Sequence, residues 1–257
     1  MNIILMSLLA GVMGMGIGGT ITAMFDNKTD KMISIFLSLA GGVMVSIVLF
    51  ELIPEAIEYS NVWVSAFGLV LGALLVMFLN NIMDKATATD KSKFHNSYAE
   101  FFHSEGMTDS KKSMLRSGMI MLFAIALHNI PEGLAMGAAG YHDAALGLTL
   151  ALMIGLHNIP EGMAISAPLI TGGLSKIKTL VLVMLTGATT IIGAVAGVVI
   201  GGISDLTLAL SFAVAGGAML YVVFGEILPQ SIVASKDRIP AVFALVGIII
   251  GLLFTQI

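Results

Sequence analysis

The sequence has no cysteine, a single tryptophan and few charges: only 11% of its 257 residues are Asp, Glu, Lys or Arg. Without cysteine a disulfide framework is excluded. Soluble domains carry roughly 25% charged residues, and a surface this poor in charge does not stay dispersed in water. A soluble enzyme is therefore excluded. A net charge of −4 and the lack of a basic patch exclude a nucleic-acid-binding protein. Disorder is excluded as well, since 57% of the residues are hydrophobic and the mean hydropathy is +1.00. What is left is an all-α polytopic membrane protein with the lipid bilayer as its solvent.

A spanning helix needs about 20 mainly apolar residues. Eight stretches qualify, over about 2–24, 32–57, 62–82, 113–138, 144–170, 178–201, 206–233 and 239–257. They are continuously apolar rather than alternating, which disfavours a β-barrel. No Lys or Arg precedes Lys28, so residues 1–24 lack the basic start of a signal peptide and read as a span. Lys28 and Lys31 lie between spans 1 and 2, and Lys85, Lys91, Lys93, Lys111, Lys112 and Arg116 between spans 3 and 4. Lys176 and Lys178 precede span 6, and Lys236 and Arg238 precede span 8. These are all 12 Lys and Arg of the chain; the alternate connections, near Ser60, His142 and Asp205, have none. By the positive-inside rule both termini are extracellular. The expectation is one transmembrane transport domain, 1–257, in the cell membrane, with 84–112 as a cytoplasmic loop.

Parts of the chain are used twice. Gly41, Gly42, Met44, Val48, Glu51 and Pro54 of span 2 recur 175 residues later as Gly216, Gly217, Met219, Val223, Glu226 and Pro229 of span 7. Gly14, Gly18 and Gly19 echo Gly197, Gly201 and Gly202 more weakly, and Gly68-xxx-Gly72 echoes Gly247-xxx-Gly251. Corresponding spans lie five apart, an odd number, so they run in opposite directions. Spans 1–3 and 6–8 are thus expected to form inverted repeats around central spans 4 and 5, as in secondary transporters that work by alternating access.

Spans 4 and 5 share a hexapeptide: His128-Asn129-Ile130-Pro131-Glu132-Gly133 and His157-Asn158-Ile159-Pro160-Glu161-Gly162. Both copies fall near the middle of their spans. Ionisable residues at that depth are costly and therefore functional by default. His at i and Glu at i+4 share a helix face. The proline between them removes one N–H and kinks the helix. Two His and two Glu make a borderline nitrogen and oxygen set, suited to Zn²⁺, Fe²⁺, Mn²⁺, Co²⁺ or Cd²⁺ rather than Mg²⁺, Ca²⁺ or Cu⁺. The two carboxylates balance a dication. A His/Glu proton relay is the rival for these residues. A metalloprotease is disfavoured, because it would place Glu next to the first His and Asn stands there.

At these residues the sequence resembles the ZIP (zinc- and iron-regulated transporter-like) family of divalent metal transporters, bacterial type. The resemblance extends over the whole chain. It implies uptake of divalent metal into the cytoplasm, with His128, Asn129, Glu132, His157, Asn158 and Glu161 as metal ligands. Many members of that family carry a Glu-Pro in span 6 whose Glu helps hold a second metal; here Thr190 stands in its place. One dominant metal is therefore expected. The metal is cargo, and no prosthetic cofactor is expected.

Glu51 and Glu226 read as carboxylates near the outer and inner ends of the path, and Glu55 as an outer capture residue. His95 and His103 sit in the polar 84–112 stretch, which reads as a solvated linker. The Gly-xxx-Gly motifs favour close helix packing, within one protomer or across a homodimer. The expected function is a secondary transporter of divalent metal; the alternative is a selective metal channel or a metal-sensing membrane protein.

Overall fold

The computed structural model describes residues 3–24, 30–87, 107–201, 204–235 and 237–254. Among these residues eight helical rods follow one another: α1 (Ile3–Met24), α2 (Asp30–Glu58), α3 (Val62–Thr87), α4 (Met107–His142), α5 (Ala144–Thr171), α6 (Lys176–Gly201), α7 (Asp205–Ala234) and α8 (Ile239–Phe254). Six are long and apolar enough to cross a bilayer. In α3 and α8 the apolar helical stretches are shorter, Val62–Phe78 and Ile239–Leu253. The 84–112 stretch is helical at both ends, since α3 runs on to Thr87 and α4 starts at Met107. His95 and His103 lie outside the described residues.

Short polar residues set where the rods begin. The Asp143 carboxylate accepts the Ala145 N–H at 2.7 Å and breaks α4 from α5. Ser204 and Thr207 form a reciprocal capping box on α7. Asn61 accepts from Trp63 and Val64 at the start of α3. Asp237 accepts from Ile239 at 2.8 Å at the start of α8.

The rods form two interlocked sets. In one, α1 packs on α5, α6 on α4, and α4 on α5; in the other, α2 packs on α8 and α3 on α7. The sets meet where α2 crosses α5 and α7 crosses α4. Glycines let the backbones touch. A Cβ on Gly42 would lie 2.1 Å from the Ala244 carbonyl oxygen, and one on Gly217 would lie 2.0 Å from that of Leu69. Residues 42 and 217, like 69 and 244, are 175 apart. Gly72 faces the Val214 carbonyl and Gly247 that of Leu39, again 175 apart on both sides. In the first set Gly18 faces Ile159 and Gly193 faces Ile130, while Gly162 faces Met15 and Gly133 faces Thr190. There α1 and α6 also differ by 175, and α4 and α5 by 29.

These contacts correct two of the expected echoes. Gly18 corresponds to Gly193 rather than Gly201, and Gly72 to Gly247 rather than Gly251. Glycine-rich apolar helices offer several registers, and only the carbonyl contacts select one. Both Gly-xxx-Gly motifs are engaged inside the chain: Gly68 and Gly72 against Ala213 and Val214, Gly247 and Gly251 against Leu39 and Ser46. They give no support to a homodimer.

Pro131 and Pro160 stand inside their α-helices. Wide π turns occur at Leu8–Met13, Val48–Leu52 and Val223–Ile227, the last two just before Pro54 and Pro229. The Ile53 N–H reaches back to the Val48 carbonyl, and the Leu228 N–H to that of Val223. Each proline lacks an N–H, and a five-residue step in the turn before it re-pairs the local donors.

Candidate metal centre

In each hexapeptide His and Glu stand four residues apart on one helix face, and the packing of α4 on α5 brings the two faces together. His128 Nε2 lies 3.4 Å from an oxygen of Glu132 and 3.4 Å from one of Glu161. His157 Nε2 lies 3.1 Å from Glu132 and 3.7 Å from Glu161. All four side chains are at most 2% exposed. His128, Glu132 and Glu161 each direct a ligand atom within 4.8 Å of one another.

The tautomer of His157 makes the chemistry explicit. Its Nδ1 lies 3.0 Å from the Met153 carbonyl oxygen, which only accepts, so Nδ1 carries the hydrogen. In the neutral ring Nε2 then turns a lone pair towards the Glu132 oxygen 3.1 Å away. Two facing lone pairs repel unless a cation or proton stands between them. Most of the remaining lone pairs are also unsatisfied: neither oxygen of Glu161, nor Glu132 Oε2, nor either nitrogen of His128 has a hydrogen-bond partner. Buried polar atoms are normally paired, and no Lys or Arg occurs between Arg116 and Lys176 to neutralise the carboxylates. The geometry and chemistry of the donor set are those that can hold a metal ion. It holds no nucleophile–base arrangement for covalent catalysis.

The two asparagines do something more than expected. Asn129 donates its amide to the Thr186 carbonyl of α6 at 3.2 Å, and Asn158 donates to the Ala10 carbonyl of α1 at 3.0 Å. Their amide oxygens have no hydrogen-bond partner. Each amide thus ties a hexapeptide helix to its neighbouring rod. Thr190 is fully buried between the rods, its hydroxyl without a partner, against Gly11 and Gly133.

Glu51 and Glu226 are half-buried, one in each π turn, and are not members of the His/Glu cluster. Glu55 follows one turn after Glu51. It is near Tyr59, whose hydroxyl is pushed up first by burial and then by the carboxylates of Glu55, Glu58, Asp143 and Asp205. The Tyr59 ring also stands 6.4 Å from that of His142.

A small pocket adjoins the centre on one side only of His157. It is lined by Glu132, His157, Met153 and Met219, with Leu52 and Ile154 among its apolar walls. On α5 its lining residues precede His157, and on α4 Ala135 follows Glu132. The pocket therefore lies towards the Tyr141 end. Sequence reasoning did not single out Met153 or Met219 for this place. The signal for Met219 was its match with Met44; Met153 carried none.

Comparison with known proteins covers most of the chain. The profile of the family "ZIP Zinc transporter" matches residues 83–257. The zinc transporter ZupT of Akkermansia muciniphila is 34% identical over 270 residues, covering 99% of this chain and 95% of its own. Its counterpart from Chlorobaculum parvum is 33% identical over 232 residues, covering 88% and 86%. The Campylobacter jejuni protein is 31% identical over 259 residues, covering 91% and 88%.

Proposed function

Because the chain belongs to the ZIP zinc transporter family, and so is a membrane transporter rather than an enzyme, we propose that it carries Zn²⁺, and also Fe²⁺, Mn²⁺ or Cd²⁺, into the cytoplasm through the His128, Glu132, His157 and Glu161 centre. The observation that carries this reading is the convergence of the four side chains, from two copies of one hexapeptide, with each His nitrogen within 3.1–3.7 Å of both carboxylates and out of contact with solvent. A dication there neutralises both carboxylates and satisfies lone pairs that nothing else reaches. Asn129 and Asn158 hold the helices in place and have amide oxygens left to offer. One metal is the expected load, since Thr190 is a neutral hydroxyl outside the His/Glu cluster.

All eight rods cross the membrane in this proposal, and 1–257 is one transport domain. The ends that carry Lys and Arg face the cytoplasm, with both termini outside the cell. Rods α1–α3 and α6–α8 are inverted repeats about α4 and α5. Two features support this: the single 175-residue offset of the backbone contacts, and the paired π turns at 48–52 and 223–227. Transport proceeds by alternating access. Glu51 and Glu226 flank the path, Glu55 lies at its outer mouth, and a dication entering a negative-inside cell gains about 4.6 kcal/mol per 100 mV.

Radiometal uptake into proteoliposomes tests the assignment. Saturable uptake by wild type and none by the double variant His128→Ala, Glu161→Ala is expected. Unchanged uptake of every divalent metal by the variant removes the centre from the path. Flux linear in concentration makes the protein a channel, and binding without flux makes it a sensor.

A further inference from the structure

The pocket on the Tyr141 side of the centre lies where the two sets of rods meet. Its walls come from α2, α4, α5 and α7, and nine side chains line it. Five of them are aliphatic. The side-chain atoms other than carbon that the lining offers are the Glu132 carboxylate, the His157 ring nitrogens and the sulfurs of Met153 and Met219. Met153 is 4% exposed and Met219 0%. The pocket has a volume of about 10 Å³, room for about one water molecule. A cation in it keeps almost none of its hydration shell and must find replacement donors in the lining.

We infer that Met153 and Met219 are soft ligands that complete the shell of a cation held by Glu132 and His157, and that they rank the divalent cations the protein takes: Cd²⁺ first, Zn²⁺ next, Mn²⁺ last. The inference rests on the transport reading and adds to it the residues that set specificity.

A thioether sulfur is polarisable and uncharged, so it sits in an apolar pocket at little desolvation cost, whereas a further carboxylate there would be expensive. It binds soft cations and offers little to Mn²⁺ or Mg²⁺, which favour carboxylate, carbonyl and water oxygen. A hard ion thus loses its water in the pocket and gains no suitable donor in exchange. The two carboxylates of the centre keep the preference for a double charge over Cu⁺. Methionine is also a common filler of cores, but the hexapeptide helices do not call for it here: 29 residues earlier, at the same place before His128, stands Ala124. The Met153 group that lies 3.0 Å from His157 Nδ1 is its backbone carbonyl. A leucine at 153 therefore removes the sulfur and leaves the partner of the ring in place.

Met153→Leu and Met219→Leu, singly and together, replace sulfur by carbon at nearly constant volume. The readout is equilibrium competition between Cd²⁺ and Mn²⁺ for the purified protein in detergent. The double variant is expected to lose about tenfold in Cd²⁺ affinity, the low end of what removing a partner from a metal site costs. Mn²⁺ affinity is expected to hold, so the preference for Cd²⁺ over Mn²⁺ falls by the same factor. Met121→Leu, buried on α4 and outside the pocket lining, should keep the wild-type preference. An unchanged preference in the double variant overturns the inference. So do equal losses for both metals in a variant that melts like wild type, since a packing role weakens every cation alike. X-ray absorption at the cadmium edge of the Cd²⁺-loaded wild type decides the matter if the variants do not fold. A sulfur shell beyond the nitrogen and oxygen neighbours is expected, and nitrogen and oxygen alone overturn the ligation. Uptake into proteoliposomes is scored separately: no uptake of either metal refutes transport, while the binding preference and the absorption spectrum decide the role of the thioethers in either case.

Discussion

Replacing Gly72 by alanine puts a carbon 2.0 Å from the Val214 carbonyl oxygen and 2.9 Å from the Ala218 nitrogen. Ordinary contact begins near 3.4 Å, so α3 must back away from α7 by about 1.4 Å, in an interface packed like a crystal. The atoms in the way are backbone, and no rotamer relieves them. Overpacking costs about 1–3 kcal/mol, and such a site belongs to the upper part of that range. Alanine returns about 1 kcal/mol through its better helix propensity. A net loss of about 1–2 kcal/mol remains, which at about 2–4 °C per kcal/mol lowers Tm by about 2–8 °C. Gly247→Ala meets the Leu39 carbonyl at 2.3 Å and should fall by a similar amount. Gly16→Ala is the control: its nearest neighbour is the flexible Met184 side chain at 3.2 Å, so it should melt with wild type or slightly above. Loss of far-UV circular dichroism in detergent micelles follows the melting of the helical rods. If Gly72→Ala and Gly247→Ala both melt at or above wild type, the close backbone approaches do not hold the fold together.

Three further outcomes follow from the site and its surroundings. Uptake should fall as pH drops through about 6, because a metal-binding imidazole must be neutral; flat transport between about pH 5 and 8 argues against His ligation. Equilibrium titration should give one tightly held Zn²⁺ per chain, and two would mean that Thr190 and its neighbours make up a second site after all. Asp237, which accepts from Ile239 and Ser235 and lies near Lys31, has a carboxyl held below its usual range, chiefly by the Ile239 N–H. A lowered folded pKa adds stability that is present above the unfolded pKa, near 3.9, and is lost as pH falls through the folded value. Asp237→Asn should therefore remove part of the acid sensitivity of melting while keeping the helix cap, and an unchanged melting curve from neutral pH to about pH 3 would contradict this.

The rods and the centre were legible for the same reason: both rest on signals that tertiary context does not override. A bilayer demands long apolar runs, and Lys28, Lys176 or Arg238 interrupt them sharply. A hexapeptide with two ionisable groups, found twice, marks the two helix faces that the fold brings together. What escaped was whatever depends on backbone meeting backbone. The partner of Gly18 could not be chosen among Gly193, Gly197 and Gly201 from letters alone, because each offers the same absent side chain. The π turns at 48–52 and 223–227 were hidden because a wide turn leaves no residue type of its own; Pro54 and Pro229 hinted at them, but Pro131 and Pro160 stand in helices with no such turn. The amide bonds of Asn129 and Asn158 to α6 and α1 were invisible because their acceptors are carbonyls, which every residue carries.

The His/Glu cluster has one more consequence. Its ligands come as two equal pairs, His128 with Glu132 and His157 with Glu161, on antiparallel helices. A cation bound there meets the same pair of groups whether it looks towards Tyr141 or towards Lys176. In the proposed transport such a centre is a turnstile without a ratchet: it sets what passes and how tightly it is held, and does not set which way it goes. Net direction then comes from outside the protein, from the metal's concentration gradient and the membrane voltage. Vesicles loaded with metal and given a reversed potential should empty through the same four side chains that fill them.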